Sequence, residues 1–162
     1  MLKKLLLLVV AGFFLASCAA TNTDQGGDVD AASSSSASGG DITAGTQEDL
    51  IVNVGDRVFF EFDSSELTVD AQATLDAQAA WLLQYSDTDI TIEGHADERG
   101  TREYNLALGD KRAFAVYSYL AQAGVDTNRM DYVSWGKERP EVIGSEETAY
   151  SQNRRGVTIV TN

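Results

Sequence analysis

Apolar and polar positions alternate in two rhythms from Asp56 onward. In Arg57–Phe62, Val58, Phe60 and Phe62 share one side of a period-two pattern, which predicts a strand. Thr68 is placed to cap a helix with Asp70 in its first turn; Ala71, Leu75, Ala79 and Leu82 then recur at helical spacing to about Tyr85. Asp89–Glu93 alternates again, with Ile90 and Ile92 inward. A second helix is predicted from about Arg102 to Ala123, ending at Gly124, with Leu106, Ala113, Val116, Tyr117 and Leu120 as its core stripe. Met130–Trp135 and Gly156–Thr161 complete the pattern as two more strands. The order β-α-β-α-β-(long loop)-β predicts a two-layer α/β sandwich of about 110 residues, both helices on one face of a mixed sheet. The two βα crossovers are expected to make parallel neighbours.

The first 47 residues follow neither rhythm. Met1-Leu-Lys-Lys4 is basic, and Leu5–Ala16 is a continuous apolar run of twelve residues. As a helix that run rises roughly 18 Å, short of the ~30 Å hydrocarbon core, which suits a secretory signal peptide rather than a membrane span. Leu15-Ala16-Ser17-Cys18 matches the bacterial lipobox, so residues 1–17 are expected to be removed and Cys18 to be acylated as the new N-terminus. Ala19, rather than Asp, follows Cys18, which in the bacterial sorting system favours the outer membrane. Several acyl chains would anchor it stably, at about 0.8 kcal/mol per buried CH₂. Residues 18–47, rich in Ser, Gly, Thr and Ala and without an aromatic, are expected to be a flexible linker, leaving 48–162 as the folded domain.

Composition narrows the chemistry. Twelve Lys and Arg against 25 Asp and Glu give a net charge of −13, which argues against the clustered cations of a nucleic-acid-binding surface. With one Cys and one His, neither an intrachain disulfide nor a multi-histidine metal site is possible, and no cofactor is expected.

The polar segment Gly94–Asn105 lies between the second strand and second helix, where open α/β sheets bind ligands. Asn105, Gly109 and Arg112 share one side of the helical wheel, and Arg112 is directed away from the core stripe. Gly109 would leave room for a ligand to lie against the helix. Asp97 and Arg112 would then present opposite charges across a small cleft, suited to a zwitterion; the alternative is an Asp–Arg salt bridge that pins the loop. His95 and Asp97 resemble half a catalytic dyad, but no Gly-x-Ser-x-Gly elbow or spare Cys supplies a nucleophile. Glu93 and Asp97 as a glycosidase pair rest on carboxylate abundance alone. Asn153-Arg154-Arg155 reads as a small basic patch or as an anchor for the long loop.

Gly94-His-Ala-Asp-Glu-Arg-Gly-Thr-Arg-Glu-Tyr-Asn-Leu-Ala-Leu-Gly-Asp-Lys-Arg-Ala113 resembles the signature of the OmpA-like peptidoglycan-binding domain, specifically in the lipoproteins of the Tol–Pal system. Phe60–Ser64, Val133–Pro140 and Gln152–Arg155 match at the expected intervals, so the resemblance covers about residues 55–162. It implies a non-enzymatic protein that holds peptidoglycan noncovalently through the diaminopimelate of the stem peptide. It implies attachment to the outer membrane through the lipid, the periplasmic partners TolB and TolA, and a role in envelope integrity and cell division. Asp97 is expected to meet the free ammonium and Arg112 the free carboxylate. Phe62 and Asp63 would form the cleft wall, with Thr101, Asn105 and Leu108 as further contacts. A cell-wall hydrolase and an OmpA-like lipoprotein outside the Tol system remain as alternatives.

Overall fold

The computed structural model describes residues 42–162. The expected signal peptide, Cys18 and the linker as far as Asp41 lie outside the described residues. In chain order the elements are α1 (Gln47–Asn53), β1 (Arg57–Phe59), α2 (Val69–Gln84), β2 (Ile90–His95), α3 (Arg102–Gln122), β3 (Met130–Gly136), α4 (Glu147–Asn153) and β4 (Arg155–Val160), with a 3₁₀ turn at Thr127–Arg129.

Each long helix starts where its sequence supplies a cap. The hydroxyl of Thr68 accepts the backbone N–H of Ala71, and that of Thr101 accepts the N–H of Tyr104. α3 is capped by Ala123, and Gly124 follows with φ +99°, the left-handed region that closes a helix without a Cβ clash.

The sheet is mixed, in the order β1-β4-β2-β3. β2 and β3 are parallel neighbours, as the second crossover requires. The first crossover does not make a neighbour: β4 inserts between β1 and β2, antiparallel to both. α2 and α3 pack on each other and on the sheet. Between them lies the core of Val58, Phe60, Leu75, Leu82, Ile90, Ile92, Ala113, Val116 and Leu120. Thr158 also points into this layer, where its hydroxyl donates to Oε1 of buried Gln78 at 2.8 Å.

Two residues of the predicted stripes leave the core. Phe62 lies beyond the end of β1 and is 61% exposed, because the strand stops at Phe59 and the chain turns. Leu106 is likewise exposed, on the first turns of α3.

On the opposite face of the sheet, Arg155 of β4 and Glu93 of β2 meet the loop between β3 and α4. Asn153 ties that loop down, its Oδ1 accepting from the N–H groups of Glu141 and Val142 and its Nδ2 donating to the Val142 carbonyl. Arg155 pairs with Glu141 at 3.3 Å, and Arg139 lies 3.7 Å from Glu93. The Asn153-Arg154-Arg155 segment is therefore an anchor for the long loop. His95 is buried beneath it, with Nε2 3.4 Å from Glu93.

α1 is held by its own polar residues as well as by buried Leu50. The Asp49 carboxylate accepts from the Gly45 N–H, Asn53 Nδ2 and Trp81 Nε1. Gln47 reaches β4, with Oε1 accepting from the Val160 N–H and Nε2 donating to the Thr158 carbonyl.

Candidate functional site

A cleft of about 190 Å³ opens where the C-terminal end of β2 meets the start of α3. Phe62, Asp63, Asp97, Asn105, Leu108 and Arg112 all line it, joined by Ala96, Arg99, Gly100 and Tyr104. Six of the seven residues expected to bind ligand are thus brought together from two stretches of chain, the turn after β1 and the loop that leads into α3 with the helix itself. Thr101 is not among the lining residues; its hydroxyl caps α3. The volume is below the ~300 Å³ at which drug-sized pockets begin, so it suits one amino-acid head group rather than a saccharide.

Arg112 does not leave the core. It is fully buried, although the helical wheel directs it away from the apolar stripe. Its guanidinium is satisfied by backbone: Nε donates to the Ser64 carbonyl (2.8 Å), Nη1 to that of His95 (2.8 Å) and Nη2 to that of Glu61 (3.1 Å). Arg112 thereby ties α3 to the end of β2 and to the turn after β1. Burial, reinforced by nearby Arg154, lowers its pKa to about 10, against the opposing charges of Asp97 and Asp63; it stays protonated at neutral pH. Three of its five N–H groups are engaged, which leaves two for a ligand.

Asp97 is almost as buried and is paired with other arginines than Arg112. Arg99 grips both oxygens, Nε to Oδ1 at 3.1 Å and Nη2 to Oδ2 at 2.6 Å, and its backbone N–H also donates to Oδ1. Arg154 Nη1 stands 3.5 Å from Oδ2. Burial alone would push the Asp97 carboxyl up, but the Arg99 hydrogen bonds and the Arg99 and Arg154 charges outweigh it and hold the pKa below the usual carboxylate range. Both residues line the cleft, and the direct Asp97–Arg112 bridge is not formed: Asp97 pairs with Arg99 and Arg154, and Arg112 bonds to carbonyls.

Asn105 is buried on the first turn of α3, and its Nδ2 donates to the Arg99 carbonyl at 2.7 Å, fixing the loop against the helix. Asp63 is the only non-glycine residue with positive φ among the described residues (φ 54°), and its carboxylate accepts from the Tyr104 hydroxyl. The exposed Phe62 ring lies against the Arg99 guanidinium, 4.3 Å from its centroid.

Gly109 makes no room for a ligand. A Cβ there would lie 2.4 Å from Ser134 Oγ and 2.8 Å from the Gly94 carbonyl oxygen. The glycine lets α3 press directly on β2 and β3, and so sets the height of Asn105 and Arg112 over the strand ends.

Sequence reasoning missed Arg99, Arg154 and Tyr104. Arg99 was open to detection, because it follows Asp97 by two residues in a polar loop. Tyr104 follows the Thr101 cap by three residues, which sets it near the strand ends on the first turn of α3. Arg154 comes from the far end of the chain, after a helix that the sequence does not announce.

Residues 59–154 match the OmpA family. The peptidoglycan-associated lipoprotein of Rhizobium meliloti (strain 1021) is 57% identical over 121 residues, which cover 75% of this chain and 69% of the relative. That of Haemophilus influenzae (strain ATCC 51907 / DSM 11121 / KW20 / Rd) is 49% identical over 100 residues, covering 62% of this chain and 65% of the relative. The crystal structure of the peptidoglycan-associated lipoprotein from Burkholderia pseudomallei superposes with a TM-score of 0.64 at 43% identity, covering 65% of this chain and 90% of that one. The C-terminal domain of Helicobacter pylori MotB shares the fold, with a TM-score of 0.61 at 22% identity over 66% of this chain and 84% of that one.

Proposed function

The chain belongs to the OmpA family, and from that premise we propose that it is a lipoprotein of the outer membrane that holds the cell wall by noncovalent binding of peptidoglycan. The relatives' names support the coarse reading, and the cleft supports the finer one. The observation that carries it is the convergence of Asp97 and Arg112, with Phe62, Asp63, Asn105 and Leu108, on one cavity of amino-acid size. The diaminopimelate side chain of a stem peptide ends in an ammonium and a carboxylate on one carbon. Asp97 would take the ammonium. The two N–H groups of Arg112 not given to carbonyls would take the carboxylate. Asn105 would hold the loop in place for both.

In this reading residues 1–17 are a signal peptide, Cys18 carries the lipid, and residues 18–47 span from the periplasmic face of the membrane toward the wall. The protein acts as a tether in the Tol–Pal system, with TolB and TolA as its partners in envelope integrity and division. It binds its ligand and does not turn it over.

The test is sedimentation of the protein with isolated sacculi, with released muropeptides assayed in the supernatant. Wild type should pellet without release, and Asp97→Ala should remain soluble at the same protein concentration. Equal pelleting of the two would move the site elsewhere. Released fragments would replace the tether with a hydrolase.

A further inference from the structure

The Asp97 carboxylate is already occupied. Both of its oxygens accept from the Arg99 side chain, and the Arg99 guanidinium stands between two aromatic faces, Phe62 at 4.3 Å and Tyr150 at 4.2 Å. Glu147 adds a fourth partner, 3.7 Å from Nη1. Arg99 is itself a lining residue of the cleft, and its side chain is 36% exposed, against 6% for that of Asp97. A ligand ammonium approaching Asp97 from the cleft therefore meets a cation already seated there.

The loop backbone is pinned independently of the Arg99 side chain. Lys137 Nζ donates to the carbonyls of Glu98 and Gly100, on either side of Arg99, and Asn105 holds the Arg99 carbonyl itself. Arg99 can leave Asp97 by rotating its side-chain bonds, with the loop and α3 in place. Arg99 is the more exposed partner of the pair, so its guanidinium can return to water as a ligand ammonium takes its place on the buried carboxylate.

We propose that Arg99 is a built-in competitor for the cleft: it fills the ammonium position in the free protein and must swing away when peptidoglycan binds. The exchange sets selectivity. A ligand that offers only a carboxylate to Arg112 leaves Arg99 on Asp97 and gains nothing there. One that offers only an ammonium exchanges one cation for another at no net gain. A zwitterionic head group replaces the Arg99 contacts and adds those of Arg112.

This inference rests on the reading of the cleft as a diaminopimelate site, and its test separates the two. The titrant is the tripeptide L-Ala-γ-D-Glu-meso-diaminopimelate, added to the full chain in detergent and followed by calorimetry. The variants are Arg99→Met, which keeps an apolar stem between the rings and removes the fork, and Asp97→Asn. Arg99→Met should bind about threefold to tenfold more tightly than wild type, because the Arg99 fork no longer has to be displaced from Asp97. Unchanged or weaker binding by a folded Arg99→Met, together with loss of binding in Asp97→Asn, would overturn the competitor and leave the site standing. Binding by Asp97→Asn equal to wild type would overturn the site and the competitor with it. Should Arg99→Met melt well below wild type, Arg99→Lys decides, since it keeps the charge but cannot grip both oxygens. Tighter binding then supports the competitor, and any other result overturns it.

Discussion

α3 presses on β2 backbone to backbone, and one methyl group tests that contact. A Cβ built on Gly94 lies 1.9 Å from the carbonyl oxygen of Gly109 and 2.8 Å from its carbonyl carbon. Both are helix backbone, so no side chain can rotate out of the way. Gly94 has no positive φ, so Gly94→Ala carries no conformational strain of its own and isolates the steric effect. To reach even 3.0 Å, α3 must retreat from β2 by about 1 Å or more. A gap of 0.5–1 Å forfeits roughly a quarter to a half of the dispersion attraction across a contact. Ala113 and Val116 would lose packing along with Gly109. Overpacking costs typically 1–3 kcal/mol, and a backbone-to-backbone clash belongs at or above the top of that range. For a domain of this size about 3 kcal/mol corresponds to a fall in Tm of roughly 10 °C or more. Gly109→Ala should cost less. Its closest clash, 2.4 Å, is with the Ser134 hydroxyl, a side chain; its backbone clash with the Gly94 carbonyl oxygen is milder at 2.8 Å; and Ala returns about 1 kcal/mol of helix propensity. Scanning calorimetry of wild type and the two variants measures both. Refutation would be a Gly94→Ala melting point within about 3 °C of wild type, or one above that of Gly109→Ala.

Removing Arg112 should damage the fold as well as the site. Arg112→Ala strips donors from the carbonyls of Glu61, Ser64 and His95, for a loss of about 3–5 kcal/mol in urea unfolding; a variant as stable as wild type would contradict the geometry. His95 should make stability depend on pH. Burial, with the charge of Arg155, lowers its pKa from 6.5 to about 4 despite Glu93, so between those values the unfolded chain binds the proton and the folded one does not. Stability contributed by the neutral imidazole is thus complete above pH 6.5 and is lost as pH falls toward 4, by up to about 3 kcal/mol. His95→Gln should flatten that slope in urea titrations at pH 4.5 and 7, and identical slopes would rule His95 out as its source. Trp81→Phe should cost about 1 kcal/mol through loss of the indole bond to Asp49, and Trp81→Phe combined with Asp49→Asn should cost less than the two separate losses added.

The fold was legible where a pattern repeats. Thr68 and Gly124 mark helix ends because capping is local chemistry, and Ile90 and Ile92 mark β2 because one face of the strand is buried. The place of β4 between β1 and β2 was not legible, since it depends on where the last strand returns and not on the crossovers before it. α1 and α4 are seven residues each, too short for a period to accumulate, and both depend on distant partners: Trp81 for Asp49, Glu141 and Val142 for Asn153. In the cleft, the sequence identified the segment and six lining residues. It misjudged Arg112 because a helical wheel registers direction only. Three carbonyls that accept its guanidinium make full burial tolerable, and they belong to other segments. It misread Gly109 for a similar reason, since a missing Cβ signals close approach without saying what approaches.

Gln47 bears on how the edge of β4 is closed. β1 covers β4 only opposite Arg155–Val157, and the Asp56 carbonyl takes the N–H of Thr158. Beyond that point the carbonyl of Thr158 and the N–H of Val160 would be a bare sheet edge, the kind of template on which another chain's strand can add. The amide of Gln47 occupies both groups, and one side chain thereby acts as the missing length of strand. A chain shortened to begin at residue 48 would keep every residue of the cleft and lose this plug. Such a fragment should bind its ligand when dilute and polymerise through β4 when concentrated, whereas one that begins at Ile42 should stay monodisperse.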